Sequence, residues 1–306
     1  MPPGHQGPGG GVISRRQLLV LVALTLMWGI NWPMMKFSLR EMTPLYFRAL
    51  TMTGGAIFLY AWYRARGLRM LPQGSEWRSV IMIGAPNMLG WHTLSILGVK
   101  ELASGRAAIL GFTMPIWTVL IGVLFLGERL TRRVTLAAVA VAGAITLLVS
   151  HEFMTLSGRP LGIVWMEIAA VCWAIGTLMM RRAVLTLPVE TLTVWMMILT
   201  SVCLWLVAWV SEPWPTWQFS GLMWGSLVYG AFINYGFAQT LWAGLARNLP
   251  PATSAMSLMA IPLIGIMSAT FIVGEWPHWE DFCAMVFVVT AIGAVLLPPR
   301  SKGKTA

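Results

Sequence analysis

The chain has 306 residues, of which 57% are hydrophobic and only 10% are charged. Because an ordinary soluble domain carries about a quarter charged residues, this composition excludes a water-soluble surface and indicates a polytopic membrane protein. The net charge of +10 comes from short basic clusters between apolar runs, which excludes the continuous basic face of a nucleic-acid-binding protein. Cys172, Cys203 and Cys283 lie in apolar runs and predict neither a disulfide framework nor a metal site.

The chain begins with a tail, residues 1–14, that is rich in Gly and Pro and that we expect to be disordered in the cytoplasm. The following Ser14-Arg15-Arg16-Gln17-Leu18-Leu19 has the form of a twin-arginine export signal. However, the apolar run continues to Met35 without a small-residue cleavage site, and further apolar runs follow. We therefore interpret Arg15 and Arg16 as charges that hold the start of the first span in the cytoplasm.

Ten apolar runs, separated by short polar or Pro/Gly-rich breaks, indicate helices that cross a bilayer, for which about 20 residues are needed. The short connections leave no room for a separate soluble domain. The predicted spans 1 to 10 cover residues 18–35, 45–63, 80–97, 103–126, 134–150, 161–180, 189–210, 221–242, 252–273 and 282–297.

The distribution of Lys and Arg predicts the direction of these spans. With the N-terminus inside, only six of the 21 basic residues fall on the outer side, in agreement with the positive-inside rule. Both termini, including a basic tail at residues 299–306, are then cytoplasmic. The six outer residues are Lys36, Arg40, Arg48, Lys100, Arg106 and Arg159.

A motif that occurs twice divides the chain into two related halves. Pro115 is followed by Gly127-Glu128, and Pro262 is followed by Gly274-Glu275, with every position shifted by 147. A second match relates Trp28 to Trp173 at an offset of 145.

The number of spans in each half sets their relative direction. Five spans per half make the two halves antiparallel, so we predict an all-α membrane protein of two inverted five-helix repeats. The repeats are expected to cover residues 15–150 and 151–298.

These features resemble the drug/metabolite transporter superfamily, in particular its EamA-type ten-helix exporters. The resemblance covers residues 18–297 and rests on Trp28-Gly29-Ile30-Asn31, on Phe47-Arg48 and on the two Pro…Gly-Glu motifs. The Trp- and Met-rich spans are most similar to the aromatic amino-acid exporters. The resemblance implies export of amino acids and related metabolites across the bacterial inner membrane. It also implies a substrate cavity enclosed by spans 1, 3, 4, 6, 8 and 9, with spans 5 and 10 as scaffold.

Spans 1 and 6 place tryptophans at related positions in the two repeats. Trp28 shares a helical stripe with Asn31, and Trp173 lies one turn from Thr177. Two such tryptophans are suitable walls for an aromatic side chain or a cation, and lipid contact or packing is their alternative role. Asn31 either contacts substrate or bonds a neighbouring helix.

Span 3 carries the richest polar face of the chain. Asn87 and Trp91 lie one turn apart, and His92 lies beside them. His92 can bind a carboxylate when it is protonated and can hydrogen-bond a substrate when it is neutral, and a structural histidine is the alternative.

Span 8 mixes small residues with hydrogen-bonding ones. Asn234, Tyr235 and Gln239 lie on a broad face that can hold the charged ends of an amino acid without a fixed charge. Helix packing is the alternative role of this face.

Glu167 is the one carboxylate that lies well inside a predicted span. It can bind a substrate ammonium or accept a coupling proton, and His92 is the second candidate for coupling. The alternative is a rim residue that pairs with Arg159 or Lys100. Because acids inside the spans are scarce, facilitated diffusion without proton coupling is equally compatible with the sequence.

Pro115 and Pro262 fall in the middle of spans 4 and 9, where they predict matched bends that permit gating. Thr113 and Trp117 flank Pro115, and Ser254 and Ser257 precede Pro262, so both spans bring polar groups toward the centre. Glu128 and Glu275 mark helix ends, and we expect them to make caps or ion pairs that hold the halves together.

The predicted function is a secondary exporter of amino acids, aromatic or hydrophobic ones favoured, or of similar small metabolites by alternating access through a central cavity. Sugars, nucleosides or cationic drugs are alternative cargoes on the same fold. An embedded enzyme is disfavoured because His-Glu-x-x-His and Gly-x-Ser-x-Gly motifs are absent and Asp281 is the only aspartate. A channel is disfavoured because the sequence shows no ring of charges.

The expected partners are a small-molecule substrate and the lipid bilayer, without nucleic acid. No catalytic residue, metal or cofactor is predicted, and a monomer is compatible with the sequence.

Overall fold

The computed structural model describes residues 14–154, 160–241 and 251–296. This part of the chain is helical without strands, and its ten helical segments follow the ten predicted spans, which confirms the predicted fold class. The segments are α1 (Arg15–Ser38), α2 (Pro44–Ala65), α3 (Glu76–Glu101), α4 (Ser104–Leu126), α5 (Arg132–Met154), α6 (Pro160–Arg182), α7 (Val189–Ser211), α8 (from Gly221 to residue 241), α9 (Pro251–Ile272) and α10 (Trp279–Leu296).

The helices have the length and surface of membrane spans. Among the described residues, six of the segments are long and apolar enough to cross a bilayer by length and composition alone. Large apolar side chains such as Phe125, Val210 and Phe271 are exposed on the outside of the bundle. A water-soluble protein rarely exposes so much apolar surface, so this surface suits lipid.

Three helices contain interruptions. α3 includes a π-helical stretch, Ala85–Gly90, and α8 includes another, Tyr229–Phe237. The second stretch contains residues 232–237, which match Ala85–Gly90 at the offset of 147. π-Helical stretches are rare, but those that occur are frequently found at functional sites. α4 breaks between Ser104–Gly111 and Met114–Leu126.

The two predicted bends differ in the structure. Pro115 lies in the first turn of the second part of α4, where proline removes no helical hydrogen bond. Pro262 lies inside α9, which continues through it. The matched prolines therefore start a helix in one repeat and interrupt the hydrogen bonding of a continuous helix in the other.

The helix ends show the direction of the segments. The Glu275 carboxylate, just after α9, accepts hydrogen bonds from the backbone N–H and the hydroxyl of Ser104 at the start of α4, at 2.7 and 2.6 Å. The Glu212 carboxylate, just after α7, accepts bonds from the backbone N–H groups of Leu45 and Tyr46 at the start of α2. α4 and α9, like α2 and α7, thus run antiparallel, as inverted repeats require.

The packing follows the same symmetry. α5 packs on α10 and α2 packs on α7. Exchange of the two halves relates the contact between α1 and α9 to the contact between α6 and α4. It likewise relates the contact between α3 and α6 to the contact between α8 and α1. Exchanging the two halves therefore reproduces the main helix contacts.

Both Gly-Glu motifs end their helices in the same way. Gly127 and Gly274 have positive φ angles of 72° and 75°, in the left-handed region that glycine adopts without strain. The N–H groups of Glu128 and Glu275 then bond back to the carbonyls of Gly122 and Ala269.

The charge distribution predicts which face of the bundle is outer, and this face is called here the predicted outer face. Several bonds between the halves lie on it. Arg106 pairs with Asp281 at 2.6 Å, and Arg40 donates to the carbonyl of Val273. The Glu41 carboxylate accepts bonds from the hydroxyl and the N–H of Ser220, which hold the pKa of Glu41 below its ordinary value. These bonds join the helix ends of the two repeats.

Candidate substrate site

A buried polar cluster lies where α2 and α3 of the first half meet α8 of the second. Arg48, in the second turn of α2, is only 3% exposed and donates from Nη1 to the hydroxyl of Tyr235 at 3.0 Å. The same hydroxyl lies 3.0 Å from Nδ1 of His92, and the two rings are in edge contact. The cluster therefore joins both repeats through one tyrosine.

The remaining contacts of Arg48 are weak. Its Nη2 donates to Met35 Sδ at 3.0 Å and to Ser95 Oγ at 3.4 Å, while its buried Nε has no hydrogen-bond partner among the described residues. A thioether is a poor acceptor, and none of these partners is a carboxylate. A buried cation without a counter-ion among the described residues is costly, and charged side chains inside membrane spans are functional candidates.

A second group of predicted residues meets on α3 and α6. The Asn87 amide donates to the carbonyl of Trp173 at 3.5 Å, and Trp91 packs edge-to-face on Trp173 with ring centroids 5.5 Å apart. Trp91 also contacts the ring of His92. The aromatic pair therefore lies next to the Arg48 cluster.

Glu167 belongs to a third group, between α6 and α4. Its carboxylate accepts a hydrogen bond from Trp117 Nε1 at 2.7 Å and weaker bonds from the Thr113 hydroxyl at 3.3 and 3.4 Å. The break in α4 positions Thr113 for this contact, because it precedes the second part of that helix. Glu167 thus bonds neutral donors of α4 and not Lys100, and Arg159 lies outside the described residues.

The other predicted site residues lie apart from these groups. Trp28 is half-buried and packs between two apolar clusters. Asn31 and Gln239 are half-buried, Asn234 is buried, and none of the three makes a side-chain hydrogen bond to another described residue. The side chains of Ser254 and Ser257, which precede Pro262, lie outside the described part of the chain.

Sequence reasoning missed the central residue, Arg48. The charge distribution assigns it to the outer charges, although it lies inside predicted span 2, where any ionisable side chain is a functional candidate. A further signal was available in the repeat, because the offset of 147 also relates Asn87 to Asn234 and His92 to Gln239. These pairs lie in or just after the two π-helical stretches.

Two antiparallel five-helix halves that enclose buried polar groups are an arrangement found in membrane transporters. The chain belongs to the EamA-like transporter family, whose model matches residues 15–150 and 160–297.

Individual relatives cover almost the whole chain. The uncharacterized transporter YoaV of Bacillus subtilis (strain 168) is 22% identical over 92% of this chain and 93% of its own. The uncharacterized inner membrane transporter YedA of Escherichia coli (strain K12) is 24% identical over 92% of each chain. A probable amino-acid metabolite efflux pump of Salmonella typhimurium is 23% identical over 92% of this chain and 94% of its own. A solved crystal structure superposes with a TM-score of 0.65 at 20% identity over 92% of this chain and 96% of its own, which supports the fold.

Proposed function

We propose that this transporter exports amino acids, aromatic or hydrophobic ones favoured, or similar small metabolites across the bacterial inner membrane. The observation that carries the proposal is the buried contact of Tyr235, from the second half, with Arg48 and His92 of the first. Transporters built from inverted repeats bind substrate at the interface between the repeats. The Salmonella relative, named a probable amino-acid metabolite efflux pump, supports the choice of substrate class.

The proposed mechanism is alternating access. The two repeats, residues 15–150 and 151–298, close alternately on either side of the site. Opening of the predicted outer face requires the Glu275–Ser104 and Arg106–Asp281 contacts to separate. Closure of the opposite side then isolates the bound substrate.

The aromatic pair of Trp91 and Trp173 supplies a wall for an apolar or aromatic side chain. Glu167 and His92 are the candidates for proton coupling, and uniport is the alternative. Both termini are proposed to be cytoplasmic, with one chain as the working unit in the lipid bilayer.

Uptake into proteoliposomes tests this function. The purified protein is reconstituted and offered radiolabelled L-phenylalanine, L-leucine, D-glucose and a cationic dye, with and without a pH gradient. We expect saturable uptake of at least one amino acid above protein-free liposomes. Dependence on the gradient would support coupling, and independence would support uniport.

Matched tryptophan variants test whether the aromatic pair of Trp91 and Trp173 is needed for amino-acid uptake. Trp91→Ala with Trp173→Ala removes the aromatic pair and should lower amino-acid uptake at least tenfold, while Trp209→Ala, at a side chain that is 70% exposed, should leave it unchanged. Uptake of glucose or dye alone would contradict the proposed substrate class, and uptake of nothing would contradict the function.

A further inference from the structure

We infer that Arg48, with Tyr235 and His92, forms a carboxylate-binding subsite, so that the transported molecule carries a carboxylate. The inference rests on the proposed transport function and specifies which substrates the site accepts. It assigns the anion-binding role to α2, a helix outside the set that the family resemblance implies for the cavity.

The Arg48 guanidinium has an incomplete set of hydrogen bonds. Arginine has five N–H donors in a planar fork, and it remains charged in proteins. Here Nη1 is used by Tyr235, but Nε is buried without a partner and Nη2 has only a thioether and a hydroxyl at 3.4 Å. The structure thus leaves donors that a stronger acceptor can use.

The Arg48 donors that lack strong acceptors have the geometry of a carboxylate-binding fork. The Nε and Nη2 groups point from the same edge of the guanidinium, and this edge matches the two oxygens of a carboxylate in a bidentate pair. Tyr235 holds the opposite side through Nη1, which fixes the plane of the fork. A carboxylate at this edge would replace the weak contacts to Met35 and Ser95.

The positive charge of Arg48 also favours a carboxylate ligand. The described partners of Arg48 are neutral oxygen and sulfur atoms, and Glu167 is bonded instead to Trp117 and Thr113. A bound carboxylate supplies the missing counter-charge in a low-dielectric environment. A neutral sugar leaves the charge uncompensated, and a cationic drug adds a like charge, so both are disfavoured.

The subsite also spans the two halves. Arg48 and His92 belong to the first repeat, and Tyr235 belongs to the second. A carboxylate bound at Arg48 therefore lies beside the one hydroxyl that connects them, next to the aromatic pair formed by Trp91 and Trp173. This placement suits an acid with an apolar or aromatic body.

Direct binding tests the inference without requiring transport. The detergent-purified protein is heated with phenylacetate, L-phenylalanine, L-leucine, L-phenylalaninamide, phenethylamine or inorganic phosphate, and unfolding is followed by tryptophan fluorescence. We expect at least one of the three carboxylates to raise the unfolding midpoint of the wild type, while the amide and the amine do not. Apparent affinity for that carboxylate should fall at least about 30-fold in Arg48→Lys, because lysine lacks the fork.

Two further variants separate binding from folding. Arg64→Gln removes an exposed arginine from the same helix and should retain the full ligand-induced shift. If Arg48→Lys does not fold, Tyr235→Phe, which removes one hydroxyl and keeps the ring, should weaken carboxylate binding several-fold.

The outcomes distinguish this inference from the proposed function. The inference is overturned if none of the carboxylates raises the unfolding midpoint, or if the amide, the amine or phosphate raises it as much as the carboxylates do. It is also overturned if Arg48→Lys lowers the unfolding midpoint of the protein but keeps the ligand-induced shift. A carboxylate shift without uptake by proteoliposomes would retain the subsite and reject the transport function.

Discussion

Buried Arg48 and half-buried Glu167 differ in how their charged groups are bonded. Arg48 lies among neutral acceptors and retains a free Nε, whereas the carboxylate of Glu167 is bonded by Trp117 and Thr113. The two charges lie in separate groups and do not bond each other. Under the proposed function, Arg48 binds an anion, and Glu167 binds a cation or a proton.

Replacement of Glu167 by glutamine tests its role in coupling. The amide oxygen can still accept from Trp117 Nε1, but the side chain can no longer take up a proton. We expect Glu167→Gln to abolish the response of net uptake to a pH gradient while exchange of labelled for unlabelled substrate stays within about twofold. Both quantities are measured in proteoliposomes.

Glu128→Gln is the matched control, because this carboxyl group is exposed beyond the end of α4. It should leave both net uptake and exchange unchanged. A gradient response that persists in Glu167→Gln would show that this residue carries no coupling proton.

The residues of the site were only partly predictable. Helical spacing predicts Asn87, Trp91 and His92 on α3, and the structure places them beside Trp173 and Tyr235. The role of Arg48 could not follow from charge counting, because that rule treats every basic residue as a loop charge. Its true neighbours come from other helices, and spacing within one helix does not specify them.

At the scale of the helices, close approach of backbones places the site residues. Gly176 on α6 faces Asn87 on α3, and a Cβ at Gly176 would lie 2.8 Å from both the backbone nitrogen and the Cα of Asn87. Backbone atoms in a packed helix cannot move aside easily. The absence of a side chain at Gly176 therefore lets α6 support the π-helical stretch of α3.

Two glycine variants test this contact. Gly176→Ala should lower the free energy of unfolding by about 1–3 kcal/mol through overpacking. Gly225→Ala, in α8 with open space around the added methyl group, should leave stability unchanged or raise it. Thermal unfolding in detergent, followed by tryptophan fluorescence, measures both. Equal midpoints for the two variants would contradict the proposed close packing of α3 and α6.

The existence of the helices was predictable, but their interruptions were not. Long apolar runs such as residues 189–210 predict a helix because a bilayer demands internal backbone hydrogen bonding. The π-helical stretch Tyr229–Phe237 and the break before Met114 leave the apolar pattern unchanged. Such interruptions depend on contacts between helices, which hydropathy does not record.

At the scale of the whole molecule, the repeats share architecture but differ in chemistry. α2 and α7 occupy related places, yet Arg48 corresponds to Trp195 at the offset of 147. Trp195 donates to the carbonyl of Met70 on the opposite face. In the proposed mechanism, the two related halves supply the two gates, and the Arg48 cluster supplies the binding site.

Contacts between the halves close the predicted outer face. Glu41 bonds Ser220, Ser104 bonds Glu275 and Arg106 bonds Asp281, and each pair joins one repeat to the other. If access alternates, these pairs must separate once in every cycle. A permanent link across one of them should therefore stop transport.

The most direct measurement is uptake by a protein cross-linked across this face. Glu41→Cys and Ser220→Cys are introduced after Cys172, Cys203 and Cys283 have been replaced by alanine, and a short reducible bifunctional thiol reagent joins the new cysteines. Alternating access predicts that amino-acid uptake into proteoliposomes falls more than tenfold, recovers on reduction and is unaffected in treated single-cysteine controls. Undiminished uptake by the fully cross-linked protein would contradict it.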